Sequence, residues 1–429
     1  MLFYLVILVS SVFLGSNLLA ISLPVGQISI YRIFSLLIIP IIIITILKNR
    51  RAFKINTNST ATFMVGVFIF WWLWALCSVL WAMSIGSWLQ TMVLLTIGVS
   101  SVIGIFLWTK DYFQWRILIK AVWVMLTFLS LWGLFEVLTN TYLLADVGKL
   151  DKYSTFATQP WTRMPITFFA NQNDYATMLL AAFPVNLILL NTTRNNLKRL
   201  LTLFCMILAT LLIYQSGSRM SLLMAMAFFV IYFALKIRWN IKRNWIKKIT
   251  VIVLALLVLA IAFVPPVQDT IMKYIYILPR PYLSGDTARI NMLRNGLTYF
   301  GRTFGLGVGA GNIEVWMQTF GTLPTRNVFN IHNWWFEILV GYGVFVFIAY
   351  VVGYGLMIYR LFNLRKVVTK NQRKVMNAII TFLIIFIGAS ITSANNMLIE
   401  WHWIFFGLII AYIGIMEKQV NKEKRGLDK

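Results

Sequence analysis

The sequence predicts an all-α fold, a polytopic membrane helix bundle of about twelve transmembrane helices at the usual ~20 apolar residues per crossing. Three observations carry that expectation. The chain of 429 residues is 60% hydrophobic, 15% aromatic and only 12% charged, whereas soluble globular chains are about half apolar and about a quarter charged. Apolar runs long enough to cross a bilayer recur along almost the whole sequence, so residues 1–429 are expected to form a single integral membrane domain with no large soluble domain attached. Most of the 38 lysines and arginines gather in alternate connections between those runs, the pattern of a multi-pass protein.

In chain order, hydropathy places spans at approximately 2–21, 29–47, 62–82, 86–108, 117–139, 175–191, 200–215, 220–236, 249–265, 334–359, 377–395 and 401–416. The first run, Leu2 to Ala20, has no basic residue ahead of it and no small-residue cleavage site. It reads as a retained helix rather than a secretory signal. Cys77 and Cys205 both lie inside apolar runs and give neither a disulfide framework nor a metal motif.

A formal net charge of +25 reads here as topology, not as a nucleic-acid surface. Lys48, Arg50, Arg51 and Lys54 follow the second span, Arg194, Lys198 and Arg199 the sixth, and Lys236 to Lys248 the eighth. Arg360 to Lys374 follow the tenth, and the tail adds five more basic residues. The positive-inside rule makes that side cytoplasmic and puts both termini there. Two long connections then face outward, Asn140 to Asp174 and the larger, late segment 266–333. Long loops in a compact domain are commonly functional; for the first, a solvated cap is an equally good reading.

The larger loop contains "SGDTARINMLRNGLTYFGRTFGLGVGAGNIEVW". Asp286 is a fair N-cap, and Ile290, Leu293 and Leu297 form an apolar stripe at helical spacing. A short amphipathic helix over about 287–300 is expected on the outer membrane surface, with Arg289 and Arg294 on its polar side. The glycines of "GLGVGAG" (Gly305, Gly307, Gly309, Gly311) lack the spacing of a nucleotide-binding loop and read better as a flexible turn.

Two residues stand out. Arg219, in "YQSGSRMSLL", falls in a connection so short that it lies at the lipid boundary, where an ionisable group is costly and tends to mark function; snorkelling to headgroups is the bland alternative. His332 is one of only two histidines and opens an apolar run with Asn333 beside it and Glu337 five residues on, about 140° around a helix of 3.6 residues per turn, so the pair need not touch. Trp334 and Trp335 read as interfacial aromatics, and the second histidine, His402, as an amphipathic anchor among aromatics.

The outward side of a membrane offers no nucleotide-activated donors, so a synthetic reaction there needs a donor that is already activated, such as a glycan on a lipid pyrophosphate. Arginine forks suit the pyrophosphate oxygens, and an imidazole suits a base for the acceptor hydroxyl. Arg219, Arg289 and His332 are one such set, expected to meet in a cavity at the outer leaflet. Arg294, Arg302 and Arg326 are alternative cations, while Lys273 and Arg280 fit less well because they precede the amphipathic helix.

Four stretches resemble the superfamily of O-antigen ligases and O-antigen polymerases. They are "FFANQNDYATMLLAAFP", which carries Asn173, then "SGSRMSLL", "TARINMLRNGLTYFGRTFGLGVGAGN" and "HNWWFEILVGYGVFVFIAY". No one motif is very specific; their order and placement are. The resemblance implies a metal-independent, C-type glycosyltransferase without cofactor. Its substrate would be an undecaprenyl-diphosphate-linked glycan, with Arg219 and Arg289 holding the pyrophosphate and His332 acting on the acceptor. It also implies a bacterial cytoplasmic membrane, with membrane lipids and a flippase and chain-length regulator of the same pathway as partners. Ligases pass on a finished glycan and polymerases join repeat units for O-antigen, capsule or teichuronic acid. The isoleucine- and lysine-rich make-up here leans towards a polymerase.

A flippase or other transporter is the rival. Transporters built from two six-helix halves commonly join them by a long cytoplasmic link, whereas the connection after the sixth span, "NTTRNNLKRL", is brief and the long loop is late and external.

Overall fold

The computed structural model describes residues 1–15, 21–23, 26–49, 57–144, 163–169, 171–237, 249, 252–253, 285–325, 327–391 and 399–427. Helices dominate it. They are α1 (Leu2–Ser11), α2 (Ile30–Lys48), α3 (Thr60–Cys77), α4 (Ile85–Trp108), α5 (Tyr112–Thr139), α6 (Gln172–Leu180), α7 (Ala182–Thr192), α8 (Asn196–Ser216), α9 (Arg219–Lys236), α10 (Gly285–Arg302), α11 (Ile313–Phe320), α12 (Trp334–Val367), α13 (Lys370–Ala389) and α14 (Trp401–Leu427). A three-residue antiparallel hairpin, β1 (Ile21–Leu23) and β2 (Gly26–Ile28), pairs Ser22 with Gln27.

Among the described residues, ten helical segments are long and apolar enough to span a bilayer, and the protein is an all-α polytopic membrane protein. The other two of the expected twelve have separate explanations. The first apolar helix stops at Leu14 because the chain turns at Gly15 (φ 72), short of the predicted residue 21. The predicted span 249–265 falls outside the described residues apart from Ile249, Ile252 and Val253. Lys273, Arg280 and Arg326 are outside them as well.

Small polar residues start the helices where the first turn would otherwise leave amides unpaired. Ser29, Ser59, Ser84, Asn195 and Asn333 each accept a backbone N–H from the first turn of α2, α3, α4, α8 and α12. Thr369 and Gln372 form a full capping box at α13. In hydrocarbon such pairing matters more than in water, since no solvent satisfies a stray donor.

The chain divides into two compact units, with the boundary inside α5. The first holds residues 1–125, 284–368 and 391–429. There α14 packs on α4 and α12 on α3, and the contacts use small residues to bring backbones close: Gly98 lies against the Trp403 indole, where any Cβ would collide. At one end of this unit Glu417 accepts from Arg360 Nε (2.7 Å), from Thr60 N (3.2 Å) and from Ser59 Oγ, tying α14 to α12 and α3. Before α14, Arg32 Nε donates to Glu400 Oε1 at 2.6 Å with both side chains largely buried. Burial pushes the Glu400 carboxyl above the usual carboxylate range, and the Arg32 guanidinium opposes that shift. Removing one partner of a buried pair strands the other charge. Glu400→Ala is therefore expected to cost about 3–5 kcal/mol, read as a lowered thermal midpoint in detergent, while Arg32→Met with Glu400→Leu recovers most of the loss.

The second unit holds residues 126–283 and 369–390. There α9 packs on α13, α8 on α7 and α13 on α7, with Gly388 close against Met224. Glu136, fully buried near the end of α5, accepts the amides of Ile166 and Thr167 at 2.8 Å each through Oε2. This carboxylate fixes the approach to α6, whose Asn171 cap accepts from Asp174 N at 3.0 Å.

Candidate active site

The entrance to α12 is built from three consecutive polar and aromatic residues. His332 adopts a left-handed backbone (φ 55), uncommon for a residue with a Cβ, and its N–H donates to Asn330 Oδ1 at 2.9 Å. Asn333 then caps the helix, its Oδ1 accepting from Phe336 N at 3.1 Å. Trp334 is buried and donates through Nε1 to the Tyr350 hydroxyl at 3.0 Å. The histidine is thus held, half-buried, beside a helix N-terminus, where the helix dipole favours an anion. Asn333 works as the cap. Glu337 is buried on the first turns of α12.

Helix α10 runs over Gly285–Arg302, so Asp286 lies within its first turn instead of capping it. Its packing differs from the expectation. Ala288, Asn291, Met292, Asn295 and Tyr299 form the buried face, while Ile290 and Leu297 are about half exposed. The reason is that both asparagines find partners inside: Asn291 Nδ2 donates to the Pro324 carbonyl (2.9 Å), and Asn295 donates to the Leu323 carbonyl (3.1 Å) while accepting the Leu323 amide (3.1 Å). Satisfied amides bury at little cost; Ile290 and Leu297 are left outside, while Leu293, the third residue of the expected stripe, packs partly buried against the cluster around Met292 and Tyr299.

Arg289 and Arg294 do not share a side either, because five residues are about 140° apart on an α-helix. Arg289 is half-buried and Arg294 exposed. Seven residues beyond Arg289, close to two full turns, Gly296 sits where a Cβ would meet Phe336 at 3.0 Å and Ile331 and Val340 at 3.2 Å. The α10 face that carries Arg289 is therefore the one that, about 10 Å further along the helix, packs on Ile331, next to His332, and on Phe336 and Val340. Arg302 is exposed, with its guanidinium 5.7 Å from the Phe320 ring centre.

What locks α10 to α12 is the glycine series, and it is no flexible turn. Helix α12 breaks at Gly343 (φ 84, ψ 178), and the loop after α10 lies across the break. Val308 N donates to the Val340 carbonyl (2.8 Å), Gly309 N to the Gly341 carbonyl (3.0 Å), and Val344 N to the Gly305 carbonyl (2.9 Å). Backbone groups that a kinked helix would leave orphaned are satisfied by the loop. The two chains touch backbone to backbone: a Cβ on Gly307 would lie 2.5 Å from Gly343 N, and one on Gly343 would run into the Leu306 carbonyl. Trp81 Nε1 donates to the Gly307 carbonyl (2.9 Å), and Asn312 Oδ1 accepts from Ser84 N (2.7 Å). The sequence signal was there in "GLGVGAG" and "GYG", since glycine inside an apolar run marks a bulge or a close backbone approach.

In the second unit, Arg219 is the first residue of α9 and is exposed. Gly217 in the left-handed region ends α8, and Ser218 bonds to Ser221 Oγ at 3.0 Å, so the connection is as short as expected. Gln215 Nε2 donates to the Arg163 carbonyl at 2.7 Å. Asn173 is half-buried in the first turn of α6, with its carbonyl accepting from Thr177 Oγ1 at 2.8 Å.

His402 is buried, 5.0 Å from the Trp334 ring and 4.1 Å from that of Trp401, in place of the interfacial anchor expected for it. Among the described residues no three His, Cys, Asp or Glu side chains gather in a way that would hold a metal ion.

The first unit thus holds a helix broken at Gly343, a loop bonded across the break, and His332 at the helix entrance. Residues 204–351 match the O-antigen ligase family model. Over 424 residues the chain is 26% identical to the teichuronic acid biosynthesis protein TuaE of Bacillus subtilis (strain 168), covering 96% of this chain and 84% of that protein. Both findings are a likeness to the O-antigen ligase/polymerase superfamily, and the residues matched by the family model include α10, the glycine series and the first part of α12.

Proposed function

We propose that the protein polymerises undecaprenyl-diphosphate-linked oligosaccharide repeat units into a surface polysaccharide on the outer face of the bacterial cytoplasmic membrane, without a metal ion or cofactor. The observation that carries this reading is the entrance of α12, where His332 stands in a fixed left-handed turn and the Arg289-bearing face of α10 packs on its neighbours. In the reaction an acceptor hydroxyl attacks the anomeric carbon of the donor glycan. A new glycosidic C–O bond forms as the bond to the pyrophosphate oxygen breaks, the hydroxyl proton passes to the His332 imidazole, and undecaprenyl diphosphate leaves. Arg289 and Arg219 are the pyrophosphate-binding cations, the latter at a helix N-terminus that itself favours phosphate. The name of the Bacillus relative supports a teichuronic-acid-like product. A ligase that passes a finished glycan to another acceptor is the second reading, favoured by the family model that covers residues 204–351. Both termini are proposed to be cytoplasmic, and a flippase and chain-length regulator of the pathway are proposed partners.

Arginine holds a pyrophosphate through paired, charge-assisted hydrogen bonds that lysine cannot reproduce. Arg289→Ala and Arg219→Ala are each expected to weaken binding of a polyprenyl-diphosphate glycan by about tenfold to a hundredfold, the equivalent of ~1.5–3 kcal/mol, and the lysine variants by less. Unchanged binding in the reconstituted protein removes the residue from the donor site.

A further inference from the structure

We propose that the tip between α10 and the glycine splice, Phe304 with Leu306, together with the outward stripe Ile290 and Leu297, is embedded in the interfacial layer of the bilayer and anchors the site-bearing loop to the lipid. Phe304 is 94% exposed and held in the left-handed region (φ 50), an unfavourable backbone for a bulky residue that presents its ring outward. Leu306, Ile290 and Leu297 are exposed as well.

The level of these residues follows from the helices they touch. Ser59 and Arg360 both bind Glu417 and so mark one depth. From Arg360 back to Gly343 is seventeen residues of α12, about 26 Å at 1.5 Å per residue, against a hydrocarbon core of about 30 Å. The span Thr60–Leu80 covers 21 residues, about 31 Å by the same rise, and ends next to Trp81. Gly343 and Trp81 therefore lie at the opposite edge of the hydrocarbon. The splice is bonded to both, through Gly305 to Val344 and Trp81 to Gly307. The Trp74 indole N–H points to the Leu306 carbonyl at 3.4 Å while its ring meets Phe345, itself exposed on the spanning part of α12. An indole with one apolar and one polar end is typical of that layer. Arg294 and Arg302, exposed near the apolar stripe, complement lipid phosphates. The surface is thus continuous with the lipid-facing side of α12, and phospholipid is its occupant.

The test places nitroxide labels on Phe304→Cys, Leu297→Cys and, for comparison, Gln318→Cys on α11, each with Cys77→Ser, in vesicles of phosphatidylethanolamine and phosphatidylglycerol. The ratio of oxygen to nickel-complex accessibility is expected to be several-fold higher at 304 and 297 than at 318. Equal ratios, or broadening of the 304 signal by a label on a second molecule, overturn the proposal. With both native cysteines kept, a benzophenone side chain at 304 is expected to give phospholipid adducts on irradiation; chain-to-chain adducts without lipid also overturn it.

Discussion

His332→Ala is expected to leave the protein inserted and folded but to stop chain growth, so that single lipid-linked repeats accumulate in the membrane while polymer disappears. Loss of a general base slows a reaction by about 10²–10⁴-fold, which in a cell is indistinguishable from loss of product. His332 has φ 55, so both the turn and the imidazole are in question, although alanine and histidine carry the same Cβ penalty of the left-handed region. His332→Asn separates the two effects, since asparagine tolerates the left-handed region yet offers no base. Both variants are expected to fail. Polymer of normal length from the asparagine variant would show that the turn and not the imidazole matters.

The second large effect is expected at the splice. Gly343→Ala and Gly307→Ala each put a Cβ into the backbone of the other segment, and each residue has a positive φ, 84 and 87 respectively. The left-handed penalty is about 1–2 kcal/mol and overpacking adds about 1–3 kcal/mol, so a loss of about 2–5 kcal/mol in stability is expected together with loss of turnover. Gly301→Ala is the control: it lies near the end of α10 with no atom within 4 Å of its would-be Cβ, and a helical alanine is worth up to about 1 kcal/mol over glycine. Thermal unfolding in detergent separates the three. An unaltered midpoint for Gly343→Ala would mean that the break in α12 is not locked by the loop.

Long apolar runs made most of the helical plan readable from the sequence alone, because a membrane span is decided by length and composition within one segment. The short turn at Arg219 was equally local and equally legible. What misled was packing across segments. The asparagines of α10 look like surface residues until Leu323 and Pro324 supply their partners, and Ile290 and Leu297 look buried until the asparagines take their place inside. The glycines of "GLGVGAG" read as slack because nothing within that stretch reveals Gly343, more than thirty residues on, as the other half of the splice. His402 carries no local sign that Trp334 lies against it.

The most direct test of the central claim uses purified protein in vesicles with a polyprenyl-diphosphate-linked repeat unit, following glycan length and released polyprenyl diphosphate together by mass spectrometry, with and without a chelator. Lipid diphosphate is expected to be released in step with each added repeat, unaffected by the chelator and absent in His332→Asn. Glycan growth without release of the lipid diphosphate, dependence on a divalent ion, or full turnover by the asparagine variant would contradict it.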